Sequence, residues 1–207
     1  MLISLTILTL QAQYIVGFKS GVTRAWEENG NVERPGNASP YVNGFQLSTL
    51  AYYKITPTIW LGIEPGYVQR GAARRPGFLV FDRSTYLRTN YVELPLFLAA
   101  HFPLFSEKVF LRPKLGIGTS IVVSAFEDIF SSTTGRKIRR TRLYFDGRDP
   151  IRRWDSGLYG GLTLSADLGH HQIIVESSYY HGIPDVDFIV TSRNRSLQIK
   201  LGFMIHL

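Results

Sequence analysis

The 207-residue sequence predicts an all-β fold, an eight-stranded antiparallel up-and-down β-barrel that crosses a membrane. Three observations predict it. Apolar residues alternate with polar or small ones at period two in segment after segment, the pattern of strands with two unlike faces. The clearest segments run about nine to eleven residues, the length a tilted strand needs to span a bilayer. The connections between them alternate between long and short, as in membrane barrels with tight turns on one side and extended loops on the other. Composition agrees: charged residues are 19% of the chain, below the roughly 25% of soluble domains, while aromatic residues reach 13%, which excludes a disordered chain. The absence of cysteine excludes a disulfide framework, a thiolate nucleophile and Cys-ligated zinc. No run of 18 apolar residues occurs, so an ordinary transmembrane helix is excluded as well.

Taken in order, residues 1–13 (MLISLTILTLQAQ) form a short apolar run ending in Gln11-Ala12-Gln13. They resemble the apolar core and cleavage end of a secretory signal without its charged start, so the expected barrel domain is 14–207 and the chain is exported. Strands follow at about 14–24 and 42–53. The third sets Ile59, Leu61, Ile63 and Tyr67 against Gly62, Glu64 and Gly66; the fourth sets Val92, Leu94, Leu96 and Leu98 against Tyr91, Glu93, Pro95 and Phe97. The fifth alternates Leu111, Leu115, Ile117 and Ile121 with Arg112, Lys114, Gly116, Gly118 and Ser120. The sixth alternates Leu158, Leu162, Leu164 and Leu168 with Tyr159, Gly161, Thr163, Ser165 and Asp167. In the seventh Ile173, Val175 and Tyr179 face away from Glu176 and Ser178. The last is the strongest, with Leu197, Ile199, Leu201, Phe203, Ile205 and Leu207 on one face; read as a helix it would place Lys200 in the apolar stripe. Long connections fall at 25–41, 71–84, 125–154 and 183–194, short ones at 54–58, 103–108 and 169–171.

If the apolar face meets lipid, the other face directs Lys19, Glu64, Glu93, Arg112, Lys114, Asp167, Glu176 and Lys200 into the lumen. Four bases against four acids suit a narrow interior, where an unpaired charge is costly. Eight strands leave room for side chains and little else, so a salt-bridged plug is expected rather than a pore. Carboxylate pairs also serve glycosidases, but here only the strand period selects them.

Much of the formal charge of +7 sits in one connection. Between residues 135 and 153 lie Arg136, Lys137, Arg139, Arg140, Arg142, Arg148, Arg152 and Arg153, offset by Asp146 and Asp149. In an exported chain nucleic acid is not the expected partner. The anions at hand are lipid headgroup phosphates, surface polysaccharide or the acidic face of a protein in the same membrane.

The search for chemistry finds no phosphate-loop, zinc-protease, hydrolase-elbow or dinucleotide motif. His170 and His171 form a turn without nearby Asp, Glu or Cys, so no metal or cofactor is expected. Ser178 and His181 are three apart and fall on opposite faces of a strand, which separates the members of a would-be triad. No catalytic residue is expected.

Several segments together resemble the PorT-like outer-membrane barrels of Bacteroidota: Val16-Gly17-Phe18-Lys19-Ser20-Gly21-Val22, Leu61-Gly62-Ile63-Glu64-Pro65-Gly66-Tyr67, Tyr91-Val92-Glu93-Leu94-Pro95-Leu96, Pro113-Lys114-Leu115-Gly116-Ile117-Gly118 and Ile199-Lys200-Leu201-Gly202-Phe203. The terminal Leu207 departs from the aromatic residue such barrels favour. The resemblance implies an outer-membrane barrel with periplasmic termini and extracellular long loops, some members of which take part in type IX secretion and gliding. The resulting expectation is a non-enzymatic structural or docking subunit bearing lipid and a protein partner. A lipid-modifying outer-membrane enzyme and a soluble lipocalin-like barrel with its apolar face inward are the alternatives.

Overall fold

A computed structural model describes residues 14–29, 41–74, 83–104, 106–131, 133–144, 152–186 and 192–207; the expected signal segment lies outside them. Its strands are β1 (Tyr14–Asn29), β2 (Val42–Lys54), β3 (Ile59–Ile63), β4 (Gly66–Arg74), β5 (Arg83–Ala100), β6 (Phe102–Leu104), β7 (Ser106–Ser131), β8 (Lys137–Leu143), β9 (Trp154–Asp167), β10 (His171–Gly182) and β11 (Ser192–His206). Eight staves make the barrel, with β3 and β4 sharing one across the Glu64-Pro65 break. Each stave pairs antiparallel with the next, and β1 pairs with β11 from Ile15↔His206 to Asn29↔Ser192, so the first stave bonds the last. That closure removes the open edges a membrane would leave unsatisfied.

The two faces separate as the period demands. Leu115 is 72% exposed and Leu201 61%, both on the outer wall, whereas Trp60 and Arg70 are 1% exposed inside. The apolar set lines the outside and the charged set the inside, which removes the lipocalin-like inversion. The lumen is filled by aromatic and aliphatic groups around the charges, among them Tyr52, Trp60, Phe97, Tyr159, Tyr180 and Met204. Glycine makes two of these fits possible. A Cβ at Gly62 would run into the Tyr52 ring, and one at Gly116 into the Phe97 ring, so each missing side chain is the space an aromatic ring occupies.

The strands run further than the sequence pattern indicated. β1 continues to Asn29, β4 reaches Arg74, β5 starts at Arg83 and β11 at Ser192, all inside segments expected to be loops. Beyond the lipid zone both faces meet polar surroundings, so hydrophobicity no longer marks the strand. The largest correction concerns 125–154. This is not one extended loop, because β7 runs on to Ser131 and folds back as β8, making a two-stranded arm. A bulge at its base, where Asn90 pairs with Ser124 but Tyr91 with Val122, leaves Val123 over. Val122 and Ala125 consequently both point inward, into a second apolar cluster with Val68, Leu87 and Tyr91.

Candidate functional site

At mid-height four charges meet across the lumen. Lys19 on β1 and Lys114 on β7 come from opposite staves; Glu64 and Glu176, from the β3–β4 stave and β10, come from the other pair of opposite staves. Lys19 Nζ lies 2.5 Å from Glu64 and 2.7 Å from Glu176, and Lys114 Nζ lies 2.7 Å and 2.9 Å from the same two carboxylates. All four side chains are essentially excluded from solvent. Lys200 adds a third ammonium, 3.0 Å from Glu176. The Tyr52 hydroxyl donates to Glu64 at 2.5 Å and the Thr163 hydroxyl to Glu176 at 3.2 Å, and Lys114 Nζ sits 3.9 Å over the Phe97 ring. Charges reaching the centre from four sides, all shielded from solvent, occupy the lumen at this level. Such an arrangement ties staves together that share no hydrogen-bonded edge.

Toward the long-connection end a second group forms. Arg70 donates to Glu93, and the Tyr159 hydroxyl also donates to Glu93, at 2.8 Å. The Arg70 guanidinium lies 3.9 Å over Tyr180 and 5.3 Å from Tyr91. Above it Asn194 donates to Asp155 at 2.8 Å and to the Tyr91 hydroxyl at 3.0 Å, and the Ser192 hydroxyl donates to Glu27 at 2.9 Å. At the opposite end Arg112 lies 4.0 Å over the Trp60 ring and donates to Gln172 and His101 at 3.3 Å and 3.4 Å. Among the described residues no carboxylate pairs with Arg112.

Of the expected lumen residues, Lys19, Glu64, Lys114, Glu176 and Lys200 are thus gathered in one cluster, Glu93 joins Arg70, and Arg112 takes neutral partners, Trp60, Gln172 and His101. Asp167, the last residue of β9, lies at the rim of the lumen: it is half-buried opposite the inward Gln172, outside the central cluster, and its carboxylate accepts the Gly169 N–H at 2.9 Å. That contact caps the tight turn at Gly169, where φ is 90°. Arg70, Asp155 and Glu27 were not anticipated. Arg70 could have been, since Glu64, Gly66, Val68 and Arg70 continue one face at period two.

The basic cluster lies on the β7–β8 arm. Lys137, Arg139, Arg140 and Arg142 belong to β8, Arg136 to the turn before it, and Arg152 and Arg153 to the approach to β9; Arg148 lies outside the described residues. Asp128 on β7 receives Lys137 at 2.5 Å, Arg140 at 3.5 Å and Arg88 at 3.6 Å. Ser178 is buried and donates to Gln198, facing away from His181. Among the described residues no three His, Cys, Asp or Glu side chains converge as metal ligands.

Barrels of this kind are known. Neisserial surface protein A is 14% identical over 93% of this chain and 96% of its own, with a TM-score of 0.49. A major outer membrane protein of Thermus thermophilus is 12% identical over 93% and 99%, with a TM-score of 0.49. Outer membrane protein OprG of Pseudomonas aeruginosa is 14% identical over 95% and 96%, with a TM-score of 0.45. No curated protein matches the sequence. A family model described as outer membrane protein beta-barrel domain matches residues 9–187, most of the staves just described, and the chain belongs to that family.

Proposed function

We propose that the protein is a non-enzymatic structural or docking subunit of the bacterial outer membrane, working within a secretion or assembly complex of the type IX kind. In this reading the short turns and both termini face the periplasm, while the long connections and the β7–β8 arm face outward. One observation carries it: the lumen is occupied by the Lys19–Glu64–Lys114–Glu176 cross, so function falls to the outer surface. Long segments on a rigid scaffold are where binding usually resides, and among the described residues this arm carries a paired strand of its own. The separation of Ser178 from His181 supports the non-enzymatic part, and the PorT-like segments support the secretion part.

The test is affinity purification of the tagged full chain from detergent-solubilised outer membranes. Stoichiometric recovery of other outer-membrane secretion components is expected; recovery of the barrel alone under several mild detergents overturns the docking role. Orientation is read separately. The sequence has no cysteine, so Thr134→Cys, in the turn of the arm, gives a single thiol. A membrane-impermeant maleimide should label it on intact cells.

A further inference from the structure

The arm has two faces, and strand register decides which cations lie on which. Residues directly opposite in antiparallel neighbours share a face. Across β5, β7 and β8 the rows are Arg88–Phe126–Arg142, Tyr86–Asp128–Arg140 and Ser84–Phe130–Lys137. On β5 the same face carries Val92, Leu94, Leu96 and Leu98, each 43–53% exposed, which is the lipid-facing strip of the barrel. Arg88, Lys137, Arg140 and Arg142 therefore stand on the upward continuation of the wall that meets lipid. Arg139 pairs with Ile129 on the other face, where Leu143 packs against the inner cluster of Val68, Leu87 and Tyr91.

The patch is organised for anions. Asp128, 5% exposed, lies beneath and draws in Lys137, Arg140 and Arg88, whose side chains remain 38–51% exposed. Arg142 has no carboxylate partner among the described residues. Three cations share one buried carboxylate and Arg142 stands beside them, so positive charge is in excess and most of it is held in place. The floor is aromatic: Arg140 lies 4.3 Å over Phe126, and Tyr86 meets Phe130 edge-on at 5.3 Å. Height fits too. Arg88 lies four residues beyond Val92, about 13 Å along the strand and roughly 10 Å along the barrel axis at a tilt of about 40°. The headgroup zone extends about 5–8 Å beyond the hydrocarbon, within reach of these long side chains.

We propose that this patch binds the phosphorylated headgroup of a lipid in the leaflet at the long-connection end, with arginine forks gripping phosphate while the acyl chains lie along Val92 and Leu94. The proposal rests on the barrel sitting in a membrane and is independent of the docking role above.

Full-length protein is reconstituted in phosphatidylcholine vesicles doped with diphosphoryl lipid A, extracted in mild detergent, and its retained lipid measured by native mass spectrometry. The wild type is expected to retain diphosphoryl lipid A over its dephosphorylated form. Arg142→Glu should lower that retention about fivefold, and Arg140→Glu with Arg142→Glu further, given about 1 kcal/mol per basic residue at a charged membrane surface. Arg139→Glu makes the same charge change on the same strand but on the other face, and should leave retention intact. Gel migration with and without boiling reports folding of each variant; if Arg142→Glu does not fold, Arg142→Gln, which breaks no ion pair, replaces it with a smaller expected loss. Equal losses for Arg139→Glu and Arg142→Glu, or no preference for the phosphorylated lipid, overturn the proposal. So does unchanged lipid retention by Arg140→Glu/Arg142→Glu accompanied by loss of a co-purifying protein, which reassigns the patch to an acidic partner.

Discussion

Replacing Glu176 by Gln should be among the most damaging isosteric changes in this barrel. Its carboxylate faces three ammonium groups, Lys19 at 2.7 Å, Lys114 at 2.9 Å and Lys200 at 3.0 Å. In the wild type three cations share two carboxylates; in the variant only Glu64 remains, and it meets two of them. Lys19 and Lys114 keep Glu64, at 2.5 Å and 2.7 Å, but Lys200 loses its ionic partner while remaining 4% exposed. Breaking a buried pair from one side costs about 3–5 kcal/mol, because the remaining charge stays desolvated. Adding Lys200→Met removes that orphan, so the double variant should be more stable than Glu176→Gln, with a coupling of about 1–3 kcal/mol. Urea unfolding of the reconstituted protein, followed by tryptophan fluorescence and checked by gel migration with and without boiling, measures all four corners of the cycle. Additive losses, or a Glu176→Gln variant within about 1 kcal/mol of wild type, would mean that the cross does not hold the lumen together as described.

Leu201→Arg, on the lipid face opposite Ser20 and Val175, should cost about 2–4 kcal/mol if it lies near the bilayer midplane, and a normal unfolding midpoint in vesicles would refute its placement. Gly62→Val should displace the Tyr52 ring and its hydrogen bond to Glu64, costing about 1–3 kcal/mol by overpacking; a variant as stable as the wild type would show that the ring does not depend on that space. His101 sits in the short turn between β5 and β6, stacked between Trp60 and Phe110, each 4.3 Å away. Partial burial, then Arg112, Lys54 and His206, hold its imidazole far below the ordinary value of 6.5, at about 3. The unfolded chain therefore binds the proton first, and the stability from a neutral His101 is complete above pH 6.5 and is lost as the pH falls toward 3. Unfolding midpoints at pH 7 and pH 5 should differ less in His101→Phe than in the wild type, and equal differences would exclude this coupling.

The sequence by itself determined the staves and their two faces. A bilayer imposes apolar residues on alternate positions for about ten residues at a time, so the pattern in segments such as Leu197 to Leu207 is strong and local. It also determined that Lys19, Glu64, Lys114, Glu176 and Lys200 point inward, since direction follows from position along one strand. Which charge meets which depended on the tertiary structure. Lys19 and Lys114 reach the same two carboxylates because closure sets β1 opposite β7, a relation between residues far apart in sequence. Asp167 stays at the rim of the lumen with its carboxylate bonded to a turn N–H, while Arg70 and Asp155 continue inward faces at period two into partners on other staves. The arm is the sharpest case. As sequence, 136–142 is a run of cations without direction; the paired register of β5, β7 and β8, shifted by one residue at Val123, puts Arg140 and Arg142 on the lipid side and Arg139 on the other. Direction along a strand is a local property with period two, whereas register and closure are set by partners, and a single-residue bulge reverses every face beyond it.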